Sequence, residues 1–199
     1  PGFFSLAEQC ALSAWCQDIG EGEPGWYVPT VRGGGKMHVR MLCLGRHWNA
    51  RTYAYEATRG DYDGHPAPAL PADLSLLGSR MALAAGMTMS PDVCILNHYD
   101  TDGKMGLHQD KDERPETLES GVPIVSVSIG DTARFILGGL KRRDPKTVVL
   151  LSSGDGFVLG GLSRLRYHGV AALLLGTGPS ELNLNGRLNL TFREGAAPS

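Results

Sequence analysis

The sequence predicts a mainly β protein with helices toward its N-terminal end, an α+β sandwich or jelly roll. Three observations carry this. Apolar residues alternate with period two through the second half of the chain. Helical spacing occurs only in the first half. Glycine and proline together fill 27 and 12 of 199 positions, which favours short strands joined by many turns over a helical bundle. The length fits one domain, residues 1–199.

The first element is a helix. Ser5 and Glu8 stand at capping-box spacing, Phe4, Ala11, Leu12, Trp15 and Ile19 recur along one stripe, and the glycines from Gly20 to Gly25 end it. A second helix follows Pro71, with Leu74, Leu77, Met81 and Ala84 on one stripe and Gly86 as its stop. Between them, Asp61–Pro71 reads as a surface loop rich in proline and glycine. Strands are then predicted at Val93–Tyr99, Met105–Asp110, Ile124–Ile129, Arg134–Leu137, Thr147–Leu151, Phe157–Leu159, Tyr167–Leu175 and Arg187–Arg193. Ser153-Gly154-Asp155-Gly156 separates two of them as a hairpin turn would.

Composition narrows the class. The 19 basic and 21 acidic side chains give a net charge of −2, and 20% charged residues exclude a disordered tail. No apolar run reaches the ~18 residues of a membrane span, and the opening residues do not read as a signal peptide. Cys10, Cys16, Cys43 and Cys94 form no CxxC pair, so a cytoplasmic, reducing setting is expected. Charge is nevertheless uneven. Arg32, Lys36, Arg40, Arg46, Arg51 and Arg59 face Glu56 alone between residues 31 and 59, and Arg134, Lys141, Arg142, Arg143 and Lys146 face only Asp144. Such runs are ordinarily solvated faces. Interleaved Trp48, Tyr53 and Tyr55 add the alternative of single-stranded nucleic acid, which is held by phosphate contacts and aromatic stacking.

Three groups of residues carry chemistry. His108-Gln109-Asp110 puts an imidazole and a carboxylate two residues apart, on one face of a strand. His168 is the natural third ligand. Two histidines and a carboxylate leave three positions of an octahedral ion open, as in non-haem Fe(II) oxygenases; a paired surface His and Asp is the plainer alternative. In Arg187–Arg193, Leu188, Leu190 and Phe192 share one face, and Arg187, Asn189, Thr191 and Arg193 share the other. That polar face belongs in solvent unless it lines a closed interior, where two arginines would demand anionic partners such as a dicarboxylate. Asn97 and Tyr99 also share a face and can donate to one ligand. His38, His47, His65 and His98 read as surface or packing residues. Gly20–Gly25 matches a dinucleotide-binding fingerprint, but two acids and the preceding helix argue against phosphate binding.

Asn97-His98-Tyr99, His108–Glu113, Ile124–Gly130, Gly138–Arg142, Tyr167-His168-Gly169 and Arg187–Arg193 resemble, in order, the motifs of the bacterial AlkB family, Fe(II)- and 2-oxoglutarate-dependent nucleic-acid dealkylases. The resemblance runs from about Gly25 to Arg193. It implies a double-stranded β-helix (jelly roll) with a nucleotide-recognition lid at about residues 25–60. By residue it implies iron at His108, Asp110 and His168, and the distal carboxylate of 2-oxoglutarate at Arg187, Asn97 and Tyr99. Arg193 falls near the iron-bound end of the cosubstrate, with Asn189 between. Trp48 resembles the aromatic stacked on a flipped base; Tyr53 and Tyr55 fall in the lid, and Asp112 and Arg142 near the base. The implied cosubstrates are 2-oxoglutarate and O2. The implied reaction removes N-alkyl groups, as from 1-methyladenine or 3-methylcytosine, in single- or double-stranded DNA and by extension RNA. A monomer without membrane contact is expected. Rival readings are a 2-oxoglutarate-dependent hydroxylase of a protein or small molecule, and a non-catalytic nucleic-acid module with a structural or zinc-filled His/Asp set.

Overall fold

The computed structural model describes residues 1–195. In chain order its elements are α1 (Leu6–Glu21), β1 (Arg40–Leu44), β2 (His47–Asn49), β3 (Ala54–Glu56), α2 (Ala72–Ala84), β4 (Val93–Tyr99), β5 (Met105–His108) and α3 (Pro115–Glu119). There follow β6 (Ile124–Gly130), β7 (Thr132–Leu137), β8 (Thr147–Leu151), β9 (Gly156–Leu159), β10 (His168–Leu174) and β11 (Arg187–Arg193). A five-stranded sheet of order β1-β4-β11-β6-β9 faces a four-stranded sheet of order β5-β10-β7-β8, and β2-β3 forms a separate two-stranded ribbon. Every paired neighbour is antiparallel, which makes the expected jelly roll.

Both predicted helices form, each with its buried stripe shifted. Glu8 donates its backbone N–H to Ser5 Oγ and accepts the Ser5 N–H, closing the capping box. The buried face of α1 is Gln9, Ser13, Cys16 and Gly20, with Leu12, Trp15 and Ile19 flanking it. Hydrogen bonds turn the helix this way: Gln9 Nε2 donates to Phe4 O, and Ser13 Oγ to Leu182 O. In α2 the small residues Gly78 and Ala82 join Leu74 and Met81, while Ala84 is exposed. A Cβ on Gly78 would come within 2.9 Å of the Phe192 ring, so glycine here lets α2 lie directly on β11.

That contact decides the orientation of β11. All seven of its residues are buried. Leu188, Leu190 and Phe192 enter the core beneath α1 and α2, so Arg187, Asn189, Thr191 and Arg193 project between the sheets and not into solvent. A second core, containing Tyr99, Phe135 and Val170, lies on that inner side.

Ser153–Gly156 is a correction. It does not close a hairpin, because β8 pairs with β7 in one sheet and β9 with β6 in the other. Gly154 at φ +83°, with Asp155 Oδ2 accepting the Ser152 N–H, carries the chain from sheet to sheet. The Met105–Asp110 prediction also shortens: β5 ends at His108, leaving Asp110 in irregular chain. The three strands β1 to β3 lie in a stretch for which the sequence pattern predicts no strand. Within residues 25–60, β1 is the edge of the larger sheet, and the β2-β3 ribbon stands apart over a cluster of Tyr27, Met41, Cys43, Val93 and Ile95. The ribbon is moored by His47, fully buried, whose Nε2 meets Asp61 Oδ1 at 2.6 Å.

His98 on β4 is buried too, as packing. Its Nε2 donates to Asn185 O (3.0 Å), and its ring lies 5.8 Å from that of Trp26. Burial holds its pKa below the ordinary 6.5. The unfolded chain therefore binds the extra proton, and this contribution to stability is lost as pH falls through about 6.5. Between about pH 7.5 and about pH 5.5 the wild type should lose more melting temperature than His98→Gln. Equal losses in thermal scans would contradict the assignment.

Candidate active site

The antiparallel register of β5 and β10 sets His108 directly opposite His168, with ring centroids 4.5 Å apart. Asp110, just past the end of β5, turns back between them: its Oδ1 lies 3.5 Å from His108 Nε2 and its Oδ2 3.3 Å from His168 Nε2. All three ligand atoms fall within 4.8 Å of one another. His108 Nδ1 meets Gly106 O (2.8 Å) and His168 Nδ1 meets Arg166 O (3.0 Å). A carbonyl only accepts, so each Nδ1 carries a hydrogen and each Nε2 is left facing Asp110, where a cation that displaces its proton would take its lone pair. Three electron-pair donors aimed at one point, their tautomers fixed from behind, fit a divalent cation.

Electrostatics keep Asp110 charged. Burial opposes charge on Asp110, yet Arg193 and His168 hold its carboxyl well below the usual carboxylate range. Burial likewise opposes a charge on His108, and the Asp110 carboxylate outweighs it and raises the imidazole pKa. Arg193 Nη2 donates to Asp110 Oδ1 at 2.7 Å, while its Nη1 donates to Tyr55 Oη (2.9 Å) and Glu113 Oε1 (3.2 Å).

Arg187, at the other end of β11, is different. It is 1% exposed, its Nη2 donates to Ser128 Oγ (2.9 Å), its guanidinium lies 5.2 Å from the centre of the Tyr99 ring, and its Nε and Nη1 have no hydrogen-bond partner among the described residues. No carboxylate pairs with it among the described residues, and burial lowers its pKa. Asn97 Oδ1, lining the same chamber, is also unpartnered. An unpaired buried guanidinium is costly, so the chamber is built for an anion. A dicarboxylate fits: one end on Arg187 beside Asn97 and Tyr99, the other toward His108, Asp110 and Arg193. Asn189 shares this face, but its amide is already occupied by Ser126 Oγ, Val127 O and Thr191 Oγ1, so it forms the floor.

A larger cavity of about 640 Å³ opens beside the three donors, lined by Trp48, Tyr53, His108, Asp112 and Arg142 among others. Trp48 on β2 donates Nε1–H to Asp112 Oδ2 (2.8 Å), fixing the plane of the indole. Tyr53 is half exposed, at φ +59° in the turn between β2 and β3. Arg142 donates to Leu107 O at 2.6 Å and lies over the Tyr167 ring. Tyr55 is directed elsewhere: its hydroxyl donates to Glu113 Oε1 (3.0 Å), and neither residue lines the cavity.

Of the two basic runs, Arg59 is internal, donating to Pro24 O and Gly25 O and pairing with Asp63, and Arg40 pairs with Asp100. Arg32, Lys36, Arg51 and the whole of the second run are exposed. Four residues that help build the site were not singled out from sequence. Ser126 and Ser128 left a signal, as hydroxyls at alternate positions in the apolar strand Ile124–Gly130. Glu113 and Arg164 left none.

The 2OG-Fe(II) oxygenase superfamily matches residues 1–193. "Alpha-ketoglutarate-dependent dioxygenase AlkB" of Escherichia coli K12 is 43% identical over 96% of this chain and 86% of its own length. The chain belongs to the AlkB family of Fe(II)/2-oxoglutarate oxygenases. "DNA N(6)-methyladenine demethylase ALKBH1C" of Arabidopsis thaliana is 38% identical over 96% of the chain. The solved structure of OsALKBH1 superposes with a TM-score of 0.88 at 38% identity, covering 97% of this chain and 95% of that one. The chain spans about half the length of the Arabidopsis relatives, 47% of ALKBH1C and 44% of ALKBH1D.

The family's cosubstrate, 2-oxoglutarate, is a dicarboxylate of the kind this chamber would take. Arg187→Met should lower affinity for it by about 10- to 100-fold, the worth of charge-assisted hydrogen bonds. It should also leave the ligand-free protein as stable as before or more so, because it removes an unpaired buried charge. Titration calorimetry on the Mn(II)-loaded protein and a thermal scan without ligand check the two halves; unchanged affinity contradicts the assignment.

Proposed function

We propose that this protein oxidatively removes alkyl groups from N-alkylated nucleic-acid bases, such as 1-methyladenine and 3-methylcytosine in DNA and also in RNA. Methylated base, 2-oxoglutarate and O2 would yield repaired base, formaldehyde, succinate and carbon dioxide. The observation that carries the reading is one opening that Trp48 shares with His108 and Asp110, two of the three donors that converge with His168. The names of the E. coli and Arabidopsis relatives support it. Neither they nor a cavity walled by an indole favours the alternative, a hydroxylase of a protein or small molecule.

Fe(II), held by His108, Asp110 and His168, would supply the activation of O2 by 2-oxoglutarate and the hydroxylation of the alkyl C–H bond. The protein's own share is placement. Arg187, Asn97 and Tyr99 would orient the cosubstrate by its distal carboxylate, and Arg193 would keep Asp110 ionised for the metal. Trp48, its plane set by Asp112, would stack on a base taken out of its helix, while Tyr53 and Arg142 flank the slot. Extrusion costs a few kcal/mol and is cheapest where the lesion already blocks pairing, which favours 1-methyladenine, 3-methylcytosine and single strands. Exposed Arg32, Lys36, Arg51 and the Lys141–Arg143 run would contact phosphates. We further propose a monomer in the cytoplasm, where the four cysteines stay reduced.

The test is formaldehyde and succinate release from DNA and RNA oligonucleotides carrying one methylated base each. Turnover should require both Fe(II) and 2-oxoglutarate and vanish in Asp110→Ala. Trp48→Ala should raise the oligonucleotide KM by about tenfold, the worth of one stacked base. Succinate formed only with a peptide or small-molecule substrate would overturn the nucleic-acid reading.

A further inference from the structure

Arg164 lies in the turn before β10 and is 2% exposed. Each nitrogen of its guanidinium donates: Nε to Val122 O (2.8 Å), Nη1 to the backbone carbonyl of Asp110, and Nη2 to Glu113 Oε2 (2.8 Å). Glu113 has a wholly buried side chain, and its other oxygen accepts from Arg193 and Tyr55. The four charges therefore alternate in a buried line, Arg164, Glu113, Arg193, Asp110, with contacts of 2.8, 3.2 and 2.7 Å. Neither Arg164 nor Glu113 belongs to the candidate metal triad.

We propose that Arg164 is a positioning residue for the metal centre: by neutralising Glu113 and holding the Asp110 carbonyl, it leaves Arg193 free to set the Asp110 carboxylate. The proposal rests on the reading of His108, Asp110 and His168 as that centre. Two carboxylates compete for Arg193. With Arg164 in place, Glu113 is satisfied on its far oxygen and Arg193 makes its shorter contact to Asp110. Without Arg164, Glu113 is a buried anion whose one remaining ion-pair partner among the described residues is Arg193, and the guanidinium is drawn away from Asp110. The ligand then loses the contact on its carboxylate and the donor on its carbonyl together. The same line branches at Arg193 to Tyr55 on β3, so the ribbon that carries Trp48 is tied to the metal ligand through two hydrogen bonds.

The experiment compares wild type, Arg164→Met, Arg164→Lys, Glu113→Gln and the double variant Arg164→Met/Glu113→Gln. It reads Co(II) affinity, the visible spectrum of bound Co(II) with and without 2-oxoglutarate, and folding by circular dichroism. Arg164→Met should weaken Co(II) binding by about tenfold and shift the spectrum, as loss of groups that orient metal ligands does. Arg164→Lys, which keeps the charge, should bind more tightly than Arg164→Met. Adding Glu113→Gln to Arg164→Met should bring affinity and spectrum back toward wild type, and should restore folding if the single variant fails to fold. A double variant as weak as Arg164→Met or weaker, or an Arg164→Met protein that binds like wild type, overturns the proposal. Wild type that takes up no Co(II) overturns the metal-centre reading along with it.

Discussion

Everything in this interior depends on keeping the Asp110 carboxylate ionised inside a protein. An isolated buried carboxylate would be protonated. Here it sits between two imidazoles, with Arg193 at 2.7 Å. Arg193 needs its own ties to Glu113 and Tyr55, and Glu113 needs Arg164. One charged ligand thus recruits residues from β3, β11, the chain after β5 and the turn before β10. The fold closes around that chain of contacts.

The larger sheet makes this possible by having two different faces. The side bearing Leu188, Leu190 and Phe192 is covered by α1 and α2 and supplies most of the apolar burial. The inner side is then available for Arg187, Asn189, Thr191 and Arg193, each costly to bury alone. The two ends of β11 divide the labour. Arg193 is paired within the protein, whereas Arg187 keeps two unpartnered nitrogens. The first fixes a ligand, and the second waits for an anion.

Much of this was legible in the sequence, for physical reasons. Short alternating or continuous apolar runs bounded by glycine, proline and polar residues marked all eight strands of the second half to within a few residues. The capping box of Ser5 and Glu8 marked the start of α1 because its bonds are local. The spacing of His108 and Asp110, with His168, gave the donor set. What stayed hidden was non-local. His47–Asn49 and Ala54–Glu56 are three-residue strands, too short to show a period. Ser153–Gly156 has the composition of a hairpin turn, and composition cannot say that its flanking strands join different sheets. The polar face of Arg187–Arg193 reads from its pattern as solvent-facing, and only the seating of α2 on Phe192 turns it inward. Arg164 shows no pattern at all; its role exists only in contacts across 42 to 54 positions of sequence.

The most direct measurement is a crystal structure with Mn(II) and 2-oxoglutarate, with the metal located by anomalous scattering. The account predicts one peak bonded to His108 Nε2, His168 Nε2 and the Asp110 carboxylate, with the far carboxylate of 2-oxoglutarate on Arg187. A peak elsewhere, or a cosubstrate bound away from Arg187, would contradict it.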